Sequence, residues 1–205
     1  MPKYCCKMKK IFFCDNSLRE LVNFREPVFN TFARRGIKIK LICPENREYT
    51  PTEKNVSVEP IYLSRSGMNP IADFIYFCKL VKLYIKEKPD YVFHYTIKPN
   101  IYGTLAAKLV GIPSTAMIAG LGYVFSNDGF RSRIGRVLYK FALRFSERIL
   151  VLNQYNYDFV ISEGIARKDQ VILLKGGEGV DLNRFRIDCK DEVSNDSPVV
   201  VRQGV

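Results

Sequence analysis

The sequence predicts an α/β fold in which helices cover both faces of one parallel sheet, a doubly wound, Rossmann-like arrangement. Two observations lead to this expectation. Short apolar runs rich in β-branched and aromatic residues alternate along the chain with longer segments of helical character. Most of the short runs are continuously apolar, as buried parallel strands are, and only the run at 37–43 alternates clearly with polar residues.

Each element can be placed from its pattern and its end signals. The predicted strands are 10–14, 37–43, 56–63, 91–95, 114–119, 148–152 and 171–174. The predicted helices are 18–35, 70–86, 100–110, 131–147 and 155–163. Gly36 fits the position just past a helix end, and Asn69 followed by Pro70 fits a cap and a first helical residue.

Residues 10–185 are expected to form one domain, after a basic tail at 1–9. The polar segment 186–197 is expected to be a linker, and the short apolar run at 199–201 is a candidate for a further strand. The formal net charge of +11 favours a polyanionic partner or surface, with a basic surface kept for solubility as the alternative.

Cysteine usage points to reduced thiols. No CxxC pair occurs and His94 is the single histidine, so no metal site is predicted. Cys14, Cys43 and Cys78 lie inside apolar runs and are expected to be small core residues of a cytoplasmic protein. No run approaches the roughly 18 apolar residues of a membrane span, so any membrane contact is expected to be peripheral.

The segment HYTIKPNIYG at 94–103 follows a predicted strand and precedes a predicted helix. That position is the carboxyl edge of the sheet, where open α/β folds bind ligands. His94 is a candidate to hydrogen-bond a sugar hydroxyl or a phosphate, and Lys98 supplies a positive charge. Asn100 fits as the cap of the next helix. The alternative is that His94 only packs and Asn100 only caps.

Gly120 and Gly122 follow the predicted strand at 114–119. Two glycines allow the backbone to approach a ligand closely, although a plain turn explains them equally well. The third glycine of a GxGxxG pattern is absent, so no dinucleotide site is predicted.

Four segments together resemble the N-terminal domain of family 4 glycosyltransferases of the GT-B fold. They are NFR at 23–25, HYTIKPNIYG at 94–103, GLG at 120–122 and GVDLNRF at 179–185. The resemblance is to bacterial enzymes that extend undecaprenyl-pyrophosphate-linked sugars. It implies a retaining transfer from a nucleotide sugar to a lipid-linked saccharide without a metal cofactor. It also implies that a second domain holds the donor. The segment 186–205 is then a linker and the start of that missing domain, and this chain is expected to be inactive alone.

The resemblance places particular residues on each side of the cleft. Acceptor contacts are expected from Asn23, Arg25, His94, Lys98, Asn100, Gly120 and Gly122. Asn16 and Ser17, in the loop after the first strand, are expected on the donor side. Similar enzymes often have two glycines in that loop and this chain has none. The alternative for Arg25 is a solvated charge.

The predicted helix at 131–147 combines an apolar stripe with a basic one. The stripe runs through Ile134, Val137, Leu138, Phe141, Phe145 and Ile149, and the basic residues are Arg133, Arg136, Lys140 and Arg144. This composition is typical of a helix on an anionic surface. We expect the stripe to face the sheet and the basic residues to meet lipid head groups at the inner face of the plasma membrane. The alternative is a core-facing helix with a merely charged outer face.

A non-enzymatic α/β module that binds a membrane surface or another polyanion remains the rival function. A different nucleotide-binding Rossmann enzyme is disfavoured, because the acidic residue that should follow a fingerprint loop is missing. No nucleic-acid partner is predicted.

Overall fold

A computed structural model of the chain describes residues 8–44, 51–64, 69–120 and 129–175. Seven strands form one parallel sheet in the order β3-β2-β1-β4-β5-β6-β7. They are β1 (Lys10–Cys14), β2 (Lys38–Cys43), β3 (Val56–Pro60), β4 (Tyr91–Tyr95), β5 (Ser114–Ile118), β6 (Arg148–Val151) and β7 (Val171–Leu173). The helices are α1 (Leu18–Arg34), α2 (Pro70–Glu87), α3 (Thr104–Val110), α4 (Phe130–Leu143) and α5 (Gln154–Ser162). The predicted fold class is confirmed.

Helix α1 covers one face of the sheet. The Ser17 hydroxyl oxygen caps its start by accepting from the N–H of Glu20 at 3.3 Å. Gly36, with φ of +81°, lies just past its end, as predicted. Between these ends α1 buries Leu21 and Phe29 against Phe13 of β1.

Helices α2 to α5 cover the opposite face. Phe12 of β1 points to that side and packs with Leu80 and Tyr84 of α2. Further along the sheet, Tyr139 of α4 packs over Ala116 of β5. The chain therefore changes faces between β1 and β4, and this switch point is where α/β sheets commonly bind ligands.

Some predicted boundaries and burials need correction. Strand β3 ends at Pro60, although Ile61 beyond it remains buried. The predicted helix at 100–110 begins instead with a π-helical turn, Pro99–Gly103, before α3. Cys14 and Cys43 are buried as expected, but Cys78 is exposed on α2. The predicted cap of α2 is confirmed, because Asn69 Oδ1 accepts from the backbone N–H groups of Ile71 and Ala72 at 3.1 and 3.2 Å.

Most of the predicted apolar stripe of α4 faces away from the sheet, although Leu138 packs against the core and Ile149 is buried in β6. Val137 is 70% exposed and Phe141 is 49% exposed. The side facing the sheet instead carries Tyr139, Ala142 and Leu143, which are all buried. Within the described segments, no helix is long and apolar enough to span a bilayer.

Candidate functional site

A cavity of about 290 Å³ lies at the carboxyl ends of β1, β4 and β5, at the switch point of the sheet. Its walls come from the loops after β1, β3, β4 and β5 and from the side of α4. Four lining residues are ones that the sequence predicted for the site: Asn16, Lys98, Asn100 and Gly120. Polar side chains from separate segments thus converge at the predicted edge of the sheet.

Asn100 is held in a fixed orientation in the wall of this cavity. It is 1% exposed, and its Nδ2 donates to the carbonyl of Met117 at 2.8 Å and to the hydroxyl of Tyr139 at 3.1 Å. Its Oδ1 has no hydrogen-bond partner among the described residues. A buried acceptor without a donor costs about 1–3 kcal/mol, which a ligand donor could recover.

The predicted capping role of Asn100 is wrong. The cap position of the π-helical turn is Lys98, which makes no side-chain cap, and Asn100 lies inside the turn. The Asn100 Nδ2 instead donates to β5 and α4. The side chain therefore joins the helix to the sheet beside the cavity.

Lys98 also lines the cavity, but its charge is already paired. Its Nζ lies 2.6 Å from Oδ1 of Asp73, a buried residue of α2, and the hydroxyl of Tyr102 donates to Oδ2 at 3.2 Å. Burial and the adjacent Asp73 carboxylate raise the pKa of Tyr102, so its hydroxyl stays protonated and can donate. Sequence reasoning missed Asp73, because 25 residues separate it from Lys98.

His94 lies beneath the loop, inside the core. Its Nε2 is 3.1 Å from the Tyr84 hydroxyl, and its Nδ1 is 3.3 Å from the Thr104 hydroxyl. Burial lowers the pKa of His94 to about 3, so the ring is neutral at pH 7. From this position the fully buried ring cannot reach an acceptor, and the packing alternative describes it.

Thr96 has a φ of +66°, a left-handed conformation that is costly for a β-branched residue. Its hydroxyl donates to the Tyr95 carbonyl and lies 3.4 Å from Oδ1 of Asp15. Asp15 follows β1 and is 1% exposed, and burial raises its pKa to about 6. Backbone strain beside a cavity is a recurrent feature of binding sites.

The donor-side loop is only partly available for a ligand. Asn16 lines the cavity, and its backbone N–H donates to Oδ1 of Asp15 at 2.6 Å. Ser17 is engaged as the cap of α1. Gly120 lines the cavity with nothing within 4 Å of the position a Cβ would take, so no close backbone contact requires glycine there. Gly122 and the segment at 179–185 lie outside the described residues.

Arg25 and Asn23 lie on α1, away from the cavity walls. Arg25 is 6% exposed, and its guanidinium carbon lies 4.5 Å from the centroid of the Tyr95 ring, so the solvated alternative is excluded. Asn23 borders a different cavity of about 300 Å³ beside Pro27. Whether either residue contacts an acceptor remains a prediction.

The four basic residues predicted to meet a membrane differ in their surroundings. Arg133 and Arg144 are exposed, whereas Arg136 and Lys140 are half-buried. Lys140 Nζ donates to the carbonyl of Glu163 at 3.0 Å, and Arg136 also has a partner. Arg133 and Arg144 are thus the two of the four with exposed side chains.

Comparison with known families decides the relationship of the chain. The sequence model described as glycosyl transferase 4-like matches residues 12–153. The chain belongs to this family. The matched segment includes the residues around the cavity, from Asn16 to Tyr139.

One relative of this glycosyl transferase 4-like chain comes from Campylobacter jejuni. It is named N,N'-diacetylbacillosaminyl-diphospho-undecaprenol alpha-1,3-N-acetylgalactosaminyltransferase and is 26% identical over 186 residues. The match covers 86% of this chain and 48% of the relative, so the chain spans about half the length of that protein.

Solved structures share the fold of the glycosyl transferase 4-like chain. UDP-GlcNAc 2-epimerase from Methanocaldococcus jannaschii is 19% identical with a TM-score of 0.57, over 80% of this chain and 45% of the epimerase. The enzyme from Rickettsia bellii is 17% identical with a TM-score of 0.60, over 83% and 45%. At these identities the likeness shows the fold alone.

Proposed function

We propose that this chain is the acceptor-binding half of a retaining glycosyltransferase, which moves a sugar from a nucleotide sugar to a lipid-linked saccharide. One observation carries the proposal: the switch-point cavity lies within the segment that matches the glycosyl transferase 4-like family. The name of the Campylobacter relative, a transferase acting on a diphospho-undecaprenol-linked sugar, supports this class of acceptor.

The cavity suits an uncharged saccharide better than a phosphate. The Lys98 charge is offset by Asp73. Asn100 Oδ1, which has no partner among the described residues, can accept from a hydroxyl or amide donor. Leu63 and Met117 add apolar surface that fits the C–H face of a sugar ring. We assign the nucleotide sugar to a second domain and expect the reaction to need no metal ion.

The same function places the protein peripherally at the cytoplasmic face of the plasma membrane. A saccharide linked to undecaprenyl diphosphate stays at the bilayer surface, because the polyprenyl chain is buried in lipid. The net charge of +11 favours an anionic leaflet, where each basic residue near the surface contributes about 1 kcal/mol.

Saccharide binding by the 205-residue chain tests the acceptor assignment. Saturation-transfer NMR should detect an N-acetylated oligosaccharide and should detect no UDP. Gly120→Leu should weaken saccharide binding about tenfold, which corresponds to about 1.4 kcal/mol, because it fills the cavity. Gly129→Leu is the matched control, since a Cβ there also meets nothing within 4 Å and Gly129 does not line the cavity.

Three results would count against the proposal. Binding of UDP without saccharide would place the donor in this half. Transfer of a radiolabelled sugar to a lipid-diphosphate acceptor by the purified chain alone would refute the division between two domains. Binding of heparin, a sulfated polyanion, without binding of the N-acetylated oligosaccharide would favour the non-enzymatic polyanion-binding alternative.

A further inference from the structure

Helix α4 presents an apolar row to the outside of the protein. Phe130, Ile134, Val137 and Phe141 recur at spacings of four, three and four residues and are 78%, 45%, 70% and 49% exposed. Phe145, just past the helix, continues the row and contacts Phe141 edge-on at 5.2 Å between ring centroids. These residues form a continuous ladder, called here the apolar ladder, rather than scattered exposed side chains.

The charges within helix α4 and the turn after it have one sign, and the exposed acidic residue Glu147 lies two positions beyond Phe145. Residues 130–146 contain five basic residues and no acidic one. Arg133 and Arg144 are exposed along one side of the ladder, as their helical spacing from Val137 and Phe141 requires. Lys108 of α3 reaches the same surface, with Nζ 5.7 Å from the Phe145 ring centroid.

We propose that the apolar ladder inserts among the acyl chains of an anionic lipid surface, with Arg133, Arg144 and Lys108 at the head groups. A helix of this kind lies in the interface and buries its apolar face about 5–10 Å deep. The inference deepens the membrane location in the proposed function and rests on it for the direction of approach to the acceptor.

The charge pattern favours lipid over a second copy of the chain. A symmetric contact that packs the two ladders antiparallel would bring Arg133 and Arg144 against the same basic residues of the other copy. Each copy also carries a net charge of +11. An anionic bilayer offers apolar and negative groups together, so it complements both parts of this surface.

Insertion differs from the purely electrostatic attachment that the sequence predicts. Lys140 already donates to Glu163 and Arg136 is half-buried, so fewer free charges face the surface. Burying one valine or phenylalanine side chain is worth about tenfold or more in affinity. The apolar ladder therefore supplies attachment that added salt does not remove.

The absence of tryptophan from the chain permits a direct measurement of insertion. Val137→Trp places a single reporter on the apolar ladder. Val28→Trp is the control, on an exposed position of α1 across the sheet. With phosphatidylcholine–phosphatidylglycerol vesicles, the Val137→Trp emission should shift to the blue and be quenched by brominated acyl chains. The Val28→Trp emission should do neither.

Co-sedimentation with the same vesicles provides the second measurement. Val137→Asn should weaken binding about tenfold, and Val28→Asn should leave it unchanged, because only the first removes a side chain from lipid. Part of the wild-type binding should persist in high salt.

Several outcomes would overturn the inference. These are an unshifted Val137→Trp emission, wild-type binding by Val137→Asn, or complete release by salt. A dimer in sedimentation velocity that Val137→Asn disperses would assign the ladder to self-association. None of these measurements involves sugar binding or transfer, so the proposed enzymatic role can fail or survive separately.

Discussion

His94 and Thr96 lie two residues apart at the end of β4, yet their surroundings are opposite. His94 is sealed in the core, with both ring nitrogens within hydrogen-bonding distance of a hydroxyl group. Thr96 faces the cavity with a strained backbone, and the Oδ1 of nearby Asn100 has no partner within the described part of the chain. The contrast shows that one short segment divides two tasks: its first part stabilises the fold, and its second part forms the candidate site.

The largest expected change in the free energy of unfolding comes from adding a side-chain atom next to His94. In Gly103→Ala, the new Cβ would lie 2.6 Å from Nε2 of the His94 ring, which is buried and has no room to move. Overpacking of this kind should lower the free energy of unfolding by about 3 kcal/mol. Urea unfolding followed by circular dichroism measures it.

Gly120→Ala is the matched control for Gly103→Ala. Nothing lies within 4 Å of the Cβ position at Gly120, so stability should change by less than about 0.5 kcal/mol. Equal effects of the two substitutions would mean that His94 is not confined as described.

A smaller change in stability is expected from the titration of His94 as the pH falls. Because burial lowers the pKa of His94 to about 3, the unfolded chain binds a proton below about pH 6.5 that the folded chain excludes. The stability that His94 contributes is full above pH 6.5 and is lost as the pH falls towards 3. The free energy of unfolding of the wild type, minus that of His94→Gln, should therefore fall by about 2 kcal/mol between pH 6.5 and 5.

Asp15 makes the comparison with His94→Gln necessary. Burial raises its pKa to about 6, so its protonation favours the folded state as the pH falls from 6 towards 4. The change of stability with pH that Asp15 causes is opposite in sign to the change that His94 causes. In the wild type the two partly cancel. A difference between wild type and His94→Gln that stays constant with pH would contradict the buried, neutral ring.

The smallest effect is expected at the strained residue itself. Thr96→Gly should be about 1 kcal/mol more stable than Thr96→Ala, because glycine adopts a φ of +66° without steric cost. Both variants lose the hydroxyl, so their difference isolates the backbone term. Alanine equal to or better than glycine, measured by thermal unfolding, would show that the left-handed conformation is relaxed in solution.

The sequence predicts the fold better than it predicts the site. Strand and helix alternation, Gly36 and the Asn69 cap depend on local pattern, and the structure confirms them. The burial of His94 depends on which face of β4 its side chain takes and on the distant partners Tyr84 and Thr104. A single sequence without tertiary contacts does not contain that information.

The rotation of α4 could not be predicted for a related reason. Both sides of this helix carry apolar residues, and the sequence favours the side with the larger ones. The buried side of the helix instead carries Gly135, Ala142 and Tyr139. The buried Tyr139 hydroxyl accepts a hydrogen bond from the Asn100 amide. In the sequence, the small residues on the side of α4 opposite the apolar stripe were the feature that indicated close packing against the sheet.

The number of residues in the π-helical turn Pro99–Gly103 determines where Asn100 lies in the wall of the cavity. Each residue rotates an α-helix by about 100°, and a π-helical turn absorbs one residue beyond the α-helical repeat. Deleting one residue from this turn would allow regular α-helical hydrogen bonds to form there. Ala106 and Ala107 would remain packed under α2. Asn100 would then rotate away from Met117 and Tyr139. Gain or loss of a single residue, without any change of side-chain chemistry, would therefore suffice to change what this pocket recognises.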